Sequence, residues 1–148
     1  MATVRDILEK KGTRVHSVSV DATVHEAASL MNDHRIGGLV VTAGDKVVGI
    51  FTERDILCRV VAARRDPMSI HVRDVMTAPV ACCTPATTWA ECRAVMRQRR
   101  IRHLPVVEGE RLHGIVSIGD ILEVTEAEHQ QTIRYLHEYL YGDWGGGR

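Results

Sequence analysis

The sequence predicts an α+β protein made of two α/β-type β-α-β-β-α repeats, packed sheet to sheet about a pseudo-twofold axis, with a C-terminal helical extension. Three observations lead there. The first is that the stretch GIFTERD, Gly49 to Asp55, returns as GIVSIGD, Gly114 to Asp120, after 65 residues. In that register Ile36 to Leu57 matches Ile101 to Leu122, with identities that include Leu39/Leu104, Val41/Val106, Gly44/Gly109 and Ile56/Ile121. Self-similarity at a fixed period marks a duplicated structural unit. The second is that the openings VRDIL (Val4 to Leu8) and VRDVM (Val72 to Met76) also correspond, at an offset of 68, so one loop differs by three residues. The third is size: half of a 148-residue chain is too small to bury a satisfactory core alone, so the copies must pack on each other. The expected divisions are residues 1–65, residues 66–124, and an extension with its tail over 125–148.

Each copy reads the same way. After the opening segment comes a brief strand, near Val18 in the first copy and Ala81 in the second. A helix follows, capped near Asp21 or Thr23, with Val24, Ala27, Ala28, Leu30 and Met31 on helical spacing. Its counterpart carries Trp89, Cys92, Val95 and Met96. The strands LVVT and KVVGIF flank a turn at Ala43-Gly44-Asp45, and LPVV and RLHGIV flank Glu108-Gly109-Glu110. A closing helix begins at Thr52 or Ser117. The first is expected to end near Arg64-Arg65, because the residue before Pro67 avoids the helical region. No proline or glycine interrupts Ile121 to Tyr141, so the second either runs on or restarts after one bend. Its stripe of Ile133, Leu136, Tyr139 and Leu140, with Tyr135 nearby, either packs back on the chain or forms a subunit contact. Trp144 has no assignable role.

Composition narrows the function. Apolar residues make up 45% and charged residues 26%, the balance of an ordinary soluble domain. A net charge of zero and 4% aromatic residues give no support to a nucleic-acid or membrane surface. No apolar run approaches a membrane span, and MATVRDILEKKG lacks the apolar core of a secretory signal, so a cytoplasmic address is expected. Cys58, Cys82, Cys83 and Cys92 show no C-x-x-C spacing, and the histidines form no helical metal pair. Metal binding is therefore not expected, and the thiols read as buried or partly buried in a reducing compartment. No nucleophile–base pair or phosphate-cradling glycine loop stands out, so the chain reads as non-catalytic. His103 near Asp120 is the acid–base pair weighed against that reading.

The repeated motif carries the chemistry. In each copy an apolar strand runs into a hydroxyl, Thr52 or Ser117, that can cap the next helix. Asp55 or Asp120 then falls in the first helical turn, where a carboxylate interacts well with the helix dipole. One reading is a pair of caps and nothing more. The other is a sugar-diol site, because an ionised carboxylate accepts hydrogen bonds from two neighbouring hydroxyls. Duplication of the motif shifts the balance towards the second.

The order of helix, hairpin and G-h-h-[ST]-x-x-D closing motif, with IRHLPVV before the last hairpin, resembles the CBS-domain family (cystathionine-β-synthase-type domains). The likeness covers nearly all of Val4 to Val124, and the tandem pair is similar to a Bateman module. It implies a regulatory sensor, with no cofactor required, that binds AMP or another adenosine ligand (ADP, ATP, NAD or S-adenosylmethionine) between the repeats. It implies ribose contacts from Ser117 and Asp120 in one cleft and from Thr52 and Asp55 in the other. Phosphate contacts would come from Arg102 and His103. Adenine contacts would come from Arg14, Val15 and His16 with Ile36 and Gly37 in the Ser117/Asp120 cleft, and from Met76 to Val80 with Ile101 in the other. The first copy departs from the pattern, with Gly37-Gly38 where the second has Arg102-His103, and Arg54 as the substitute cation. The Ser117/Asp120 cleft therefore ranks first for a phosphorylated ligand. A homodimer is expected, with a protein effector that the sequence does not identify. A structural dimerisation module with vestigial clefts is the alternative.

Overall fold

A computed structural model describes residues 1–141, and Trp144 lies outside them. The chain opens with α1 (Val4–Lys11), then runs through β1 (Ser17–Ser19), α2 (Val24–His34), β2 (Gly38–Ala43) and β3 (Lys46–Thr52). Next comes α3 (Glu53–Asp55), which widens at once into a π-helix over Ile56–Val61. The second copy supplies α4 (Val72–Val75), α5 (Trp89–Arg99), β4 (His103–Glu108), β5 (Arg111–Ser117) and α6 (Ile118–Tyr141).

Repeated local chemistry makes repeated elements. Thr23 Oγ1 accepts the Glu26 N–H at 3.1 Å while the Glu26 carboxylate takes the Thr23 N–H at 3.0 Å. Thr88 and Glu91 close the same box at the start of α5, at 3.2 and 2.9 Å. Both helices end on an exposed arginine in the left-handed region, Arg35 at φ 54° and Arg100 at φ 56°. The hairpins turn at Gly44 and Gly109, φ 61° and 66°, where a side chain would be strained. The strand order is β1-β2-β3-β5-β4, and the two hairpins are linked by a single pairing of Lys46 with Arg111.

Two expectations need correction. The second copy forms no strand near Ala81; only Cys83 bridges to Val106. In the first copy the Val40 N–H donates to the His16 carbonyl at 3.3 Å. Pro105 occupies the position of Val40 in the second copy and has no N–H to give Ala81, so the ladder stops after one bridge. The first closing helix also fails to stay α-helical to Arg64-Arg65. Its turn widens so that the Ala62 N–H bonds to the Leu57 carbonyl at 2.9 Å, and Arg64 at φ 57° ends it. In this register Val60 is buried while Arg59 reaches the Met76 carbonyl at 2.8 Å. The thiols divide evenly, with Cys83 and Cys92 buried and Cys58 and Cys82 exposed.

The second closing helix runs unbroken for 24 residues, a length of about 36 Å. The Trp89 indole N–H, 3.1 Å from both Glu128 oxygens, ties it to α5. Beyond that anchor Ile133, Tyr135, Leu136, Tyr139 and Leu140 are all exposed, so this stripe does not pack back on the chain. Among the described residues no helix is long and apolar enough to cross a membrane.

The buried residues form two cores, and each takes its opening helix from the other half of the chain. Val4, Ile7 and Leu8 of α1 pack with Cys92, Met96, Leu104, Val106, Val116 and Ile121. Val72 and Val75 of α4 pack with Val24, Ala27, Met31, Leu39, Phe51 and Val60. The exchange requires glycine at two equivalent points. A Cβ at Gly49 would lie 2.7 Å from Met76 Sδ and 3.0 Å from the Thr77 carbonyl, whereas one at Gly114 would meet only the Leu8 side chain, at 3.1 Å. A displaced backbone carbonyl is harder to accommodate than a rotated leucine. We therefore expect Gly49→Ala to destabilise by roughly 1–3 kcal/mol and Gly114→Ala by less. Urea unfolding midpoints for the two variants check this, and equal losses would contradict it.

Candidate functional site

The two closing motifs are built alike and end up in different states. At the second mouth the Ser117 N–H donates to Asp120 Oδ2 at 2.8 Å, and Ser117 Oγ accepts the Asp120 N–H at 3.2 Å. This is the cap that the sequence predicts. The further partner comes from far away in the chain. Lys11 Nζ, at the end of α1, donates to the same Oδ2 at 2.7 Å and to the Ile115 carbonyl at 3.0 Å. Both contacts use one oxygen, so Oδ1 of Asp120 accepts no hydrogen bond among the described residues.

His103 stands beside this pair, at the first position of β4 and opposite Ser117 across the hairpin. It also faces the other repeat, because a Cβ on Gly38 would lie 3.5 Å from both His103 Nδ1 and Thr52 Cγ2. Burial holds the His103 imidazole below its ordinary pKa, and the charge of Lys11 acts in the same sense. The carboxylate of Asp120 acts on His103 in the opposite sense. Arg102, next in the chain, is exposed, and its carbonyl accepts the Ile118 N–H at 2.8 Å. Ser117, Asp120 and His103 thus lie together, with the Arg102 backbone tied to the start of α6 beside them.

At the first mouth Asp55 is only 6% exposed. Its Oδ2 accepts the Thr52 N–H at 3.0 Å and the Thr52 hydroxyl at 3.2 Å. Its Oδ1 accepts the Thr77 hydroxyl at 3.0 Å and lies 3.8 Å from Arg59 Nε. An ionised carboxylate offers about four acceptor positions; three take hydrogen bonds here, spread over both oxygens, and Arg59 adds a nearby charge. The two hydroxyls that the sequence invites Asp55 to hold are supplied by the protein itself. Arg54 is exposed in the first turn of α3. Glu53 blocks the space over Gly37, where a Cβ would meet its carboxylate at 2.7 Å.

The remaining predicted residues lie on the two crossing segments or at helix ends. Arg14 is exposed and Val15 half-buried, and the His16 ring stacks on His34 with centroids 3.9 Å apart. Burial, then His34 and Arg14, keep His16 below its ordinary pKa. Ile36 and Ile101 are partly buried against the first and second cores respectively. On the other crossing, Met76 lies over Gly49 and Val80 is half-buried. Sequence reasoning missed Lys11, Arg59, His34 and Glu53, and it placed Thr77 at the Asp55 mouth, within Met76 to Val80, as an adenine contact and not as a partner of Asp55. Only Arg59 left a local signal, its i,i+4 spacing from Asp55.

Comparison with known proteins agrees with this architecture. The CBS domain family model matches residues 4–62 and 72–126. The chain is 32% identical over 151 residues to the mitochondrial CBS domain-containing protein CBSX3 of Arabidopsis thaliana, covering 96% of this chain and 73% of that one. A solved protein with CBS domains from Burkholderia ambifaria, assigned to signal transduction, superposes with a TM-score of 0.81 at 38% identity, covering 85% of this chain and 95% of that one. A hexameric CBS-CP12 protein from bloom-forming cyanobacteria reaches a TM-score of 0.73 at 26% identity over 99% of this chain and 90% of its own. The duplicated sequence, the two cores and these likenesses agree: the chain belongs to the CBS-domain family.

Proposed function

We propose that the chain is a non-catalytic regulatory module that binds an adenosine nucleotide at the Ser117/Asp120 mouth, AMP foremost, with ADP, ATP or NAD as related ligands. Occupancy is passed on as a change of conformation or assembly, which requires the ligand to prefer one arrangement over another. The observation that supports this most is the unfilled Oδ1 of Asp120, beside Ser117, Arg102 and His103. A ribose diol supplies the donor that this oxygen lacks, and Arg102 with His103 offers donors for a phosphate. The first mouth favours the structural alternative for itself, because both oxygens of Asp55 already accept hydrogen bonds from the protein. One nucleotide per chain is the corresponding stoichiometry.

The same proposal includes self-association as a homodimer. Leu57 and Leu122, equivalent in the two repeats, are 61% and 63% exposed on the closing helices, and the α6 stripe adds further apolar surface. The hexameric neighbour supports assembly within this fold. A cytoplasmic setting and a protein effector complete the reading, the former supported by four unbridged thiols.

Two measurements test the site. A hydrogen bond to a charged group is worth about 1.5–3 kcal/mol, so Asp120→Ala should weaken AMP roughly ten- to a hundredfold by calorimetry. Unchanged affinity would remove the ribose role. Arg102→Ala should weaken AMP more than adenosine, and equal losses would remove Arg102 from the phosphate.

A further inference from the structure

Lys11 enters the Ser117/Asp120 mouth from the other end of the chain. It is the last residue of α1, a helix anchored in the second core by Val4, Ile7 and Leu8. Gly12 follows at φ 94°, and the chain then crosses to β1 through Arg14 to His16. The Lys11 ammonium has three donors. It spends one on Asp120 at 2.7 Å and one on the Ile115 carbonyl at 3.0 Å. The third points to no acceptor among the described residues, in a neighbourhood that also holds His103, Arg102 and Glu53.

We propose that Lys11 is a latch that changes partner when ligand binds, leaving Asp120 for the ligand's phosphate. This rests on the nucleotide reading of the Ser117/Asp120 mouth and adds a basis for its selectivity. One hydroxyl of a ribose diol can take the free Oδ1 of Asp120, but the second reaches for Oδ2 and there competes with the ammonium. If the ligand is a nucleoside, the displaced ammonium loses its counter-charge and gains none. If it is a nucleotide, the phosphate replaces what Asp120 supplied, and the ammonium stays paired in the same mouth. The exchange thus sets nucleotides above nucleosides without any change in the diol contacts. The first mouth is set differently: the hydroxyl on Asp55 comes from Thr77, a neutral side chain, and the nearby Arg59 guanidinium is 3.8 Å away and hydrogen-bonded to the Met76 carbonyl at 2.8 Å, so neither partner is released to a phosphate as Lys11 is. Lys11 sits at the junction between α1 and the crossing segment, so its change of partner acts directly on the link between the two repeats.

Calorimetry with AMP and with adenosine, on the wild-type chain and on Lys11→Met, tests the exchange. The expected result is a pair of opposite shifts. AMP binding weakens by about tenfold, the loss of one charge-assisted contact. Adenosine binding tightens, because Asp120 no longer has a competitor. Lys11→Arg, which keeps the charge, should retain the preference for AMP. An unchanged ratio of the two affinities in Lys11→Met, or adenosine binding that stays the same or weakens, overturns the exchange and leaves the nucleotide site standing. A wild-type chain that binds neither ligand overturns the nucleotide reading and the exchange with it.

Discussion

Everything in this molecule depends on the exchange of its two opening helices. Neither half of the chain has enough apolar surface to close a core of its own. Each is completed by a helix from the other half, Val4, Ile7 and Leu8 in one direction and Val72 and Val75 in the other. The exchange forces the backbone to cross between halves twice, over Gly12 to His16 and over Met76 to Val80. It also brings each opening helix against the middle of the other half's last strand, where Gly114 lies under Leu8 and Gly49 under Met76. Neither half can therefore loosen without opening the core of its neighbour.

The same exchange decides what becomes of the two carboxylates. Each crossing segment begins where an opening helix ends, and each helix ends beside the aspartate of the other closing motif. The helices differ in length: α1 has eight residues and α4 has four. The longer one carries Lys11 to Asp120 at its last turn. The shorter one releases the chain early, so that Thr77 bridges to Ile50 and places its hydroxyl on Asp55. One sequence motif, duplicated with its cap intact, thus becomes a closed structural knot in one copy and an ion pair with an unused oxygen in the other.

The division between what could be read in the sequence and what could not follows the range of the interactions. Capping residues, hairpin turns and apolar periodicity act within a few residues, and Thr23, Gly44, Gly109, Thr52 and Ser117 were legible for that reason. The missing strand near Ala81 was legible in principle, since Pro105 stands in the sequence. Its effect depends on knowing which N–H the neighbouring strand needs, which is a fact of pairing. The bonds that the two aspartates make were out of reach, although the resemblance places Thr77, within Met76 to Val80, at the Asp55 mouth. Lys11 lies 109 residues from Asp120, and Thr77 lies 22 from Asp55 across a chain crossing. Nothing in the local pattern marks either one. Comparison of the copies did separate the two mouths, through Gly37-Gly38 in place of Arg102-His103, but it could not show the partners that make them differ.

The contrast between a hydroxyl partner and an ammonium partner has a physical consequence for which mouth can respond to a ligand. Asp55 is buried, and removing Thr77 from it would leave a carboxylate oxygen and a hydroxyl to be satisfied at once in a space with little water. Asp120 is more open, and its partner is a flexible lysine whose charge can be carried to another anion within the same mouth. A buried polar contact between neutral and charged groups is costly to break and offers nothing in return. An ion pair at a partly open mouth is cheap to rearrange when a second anion arrives, because the total pairing of charge is kept. Duplication supplied two copies of one cap, and the unequal reach of the exchanged helices gave them different partners, Lys11 on Asp120 and Thr77 with Arg59 on Asp55.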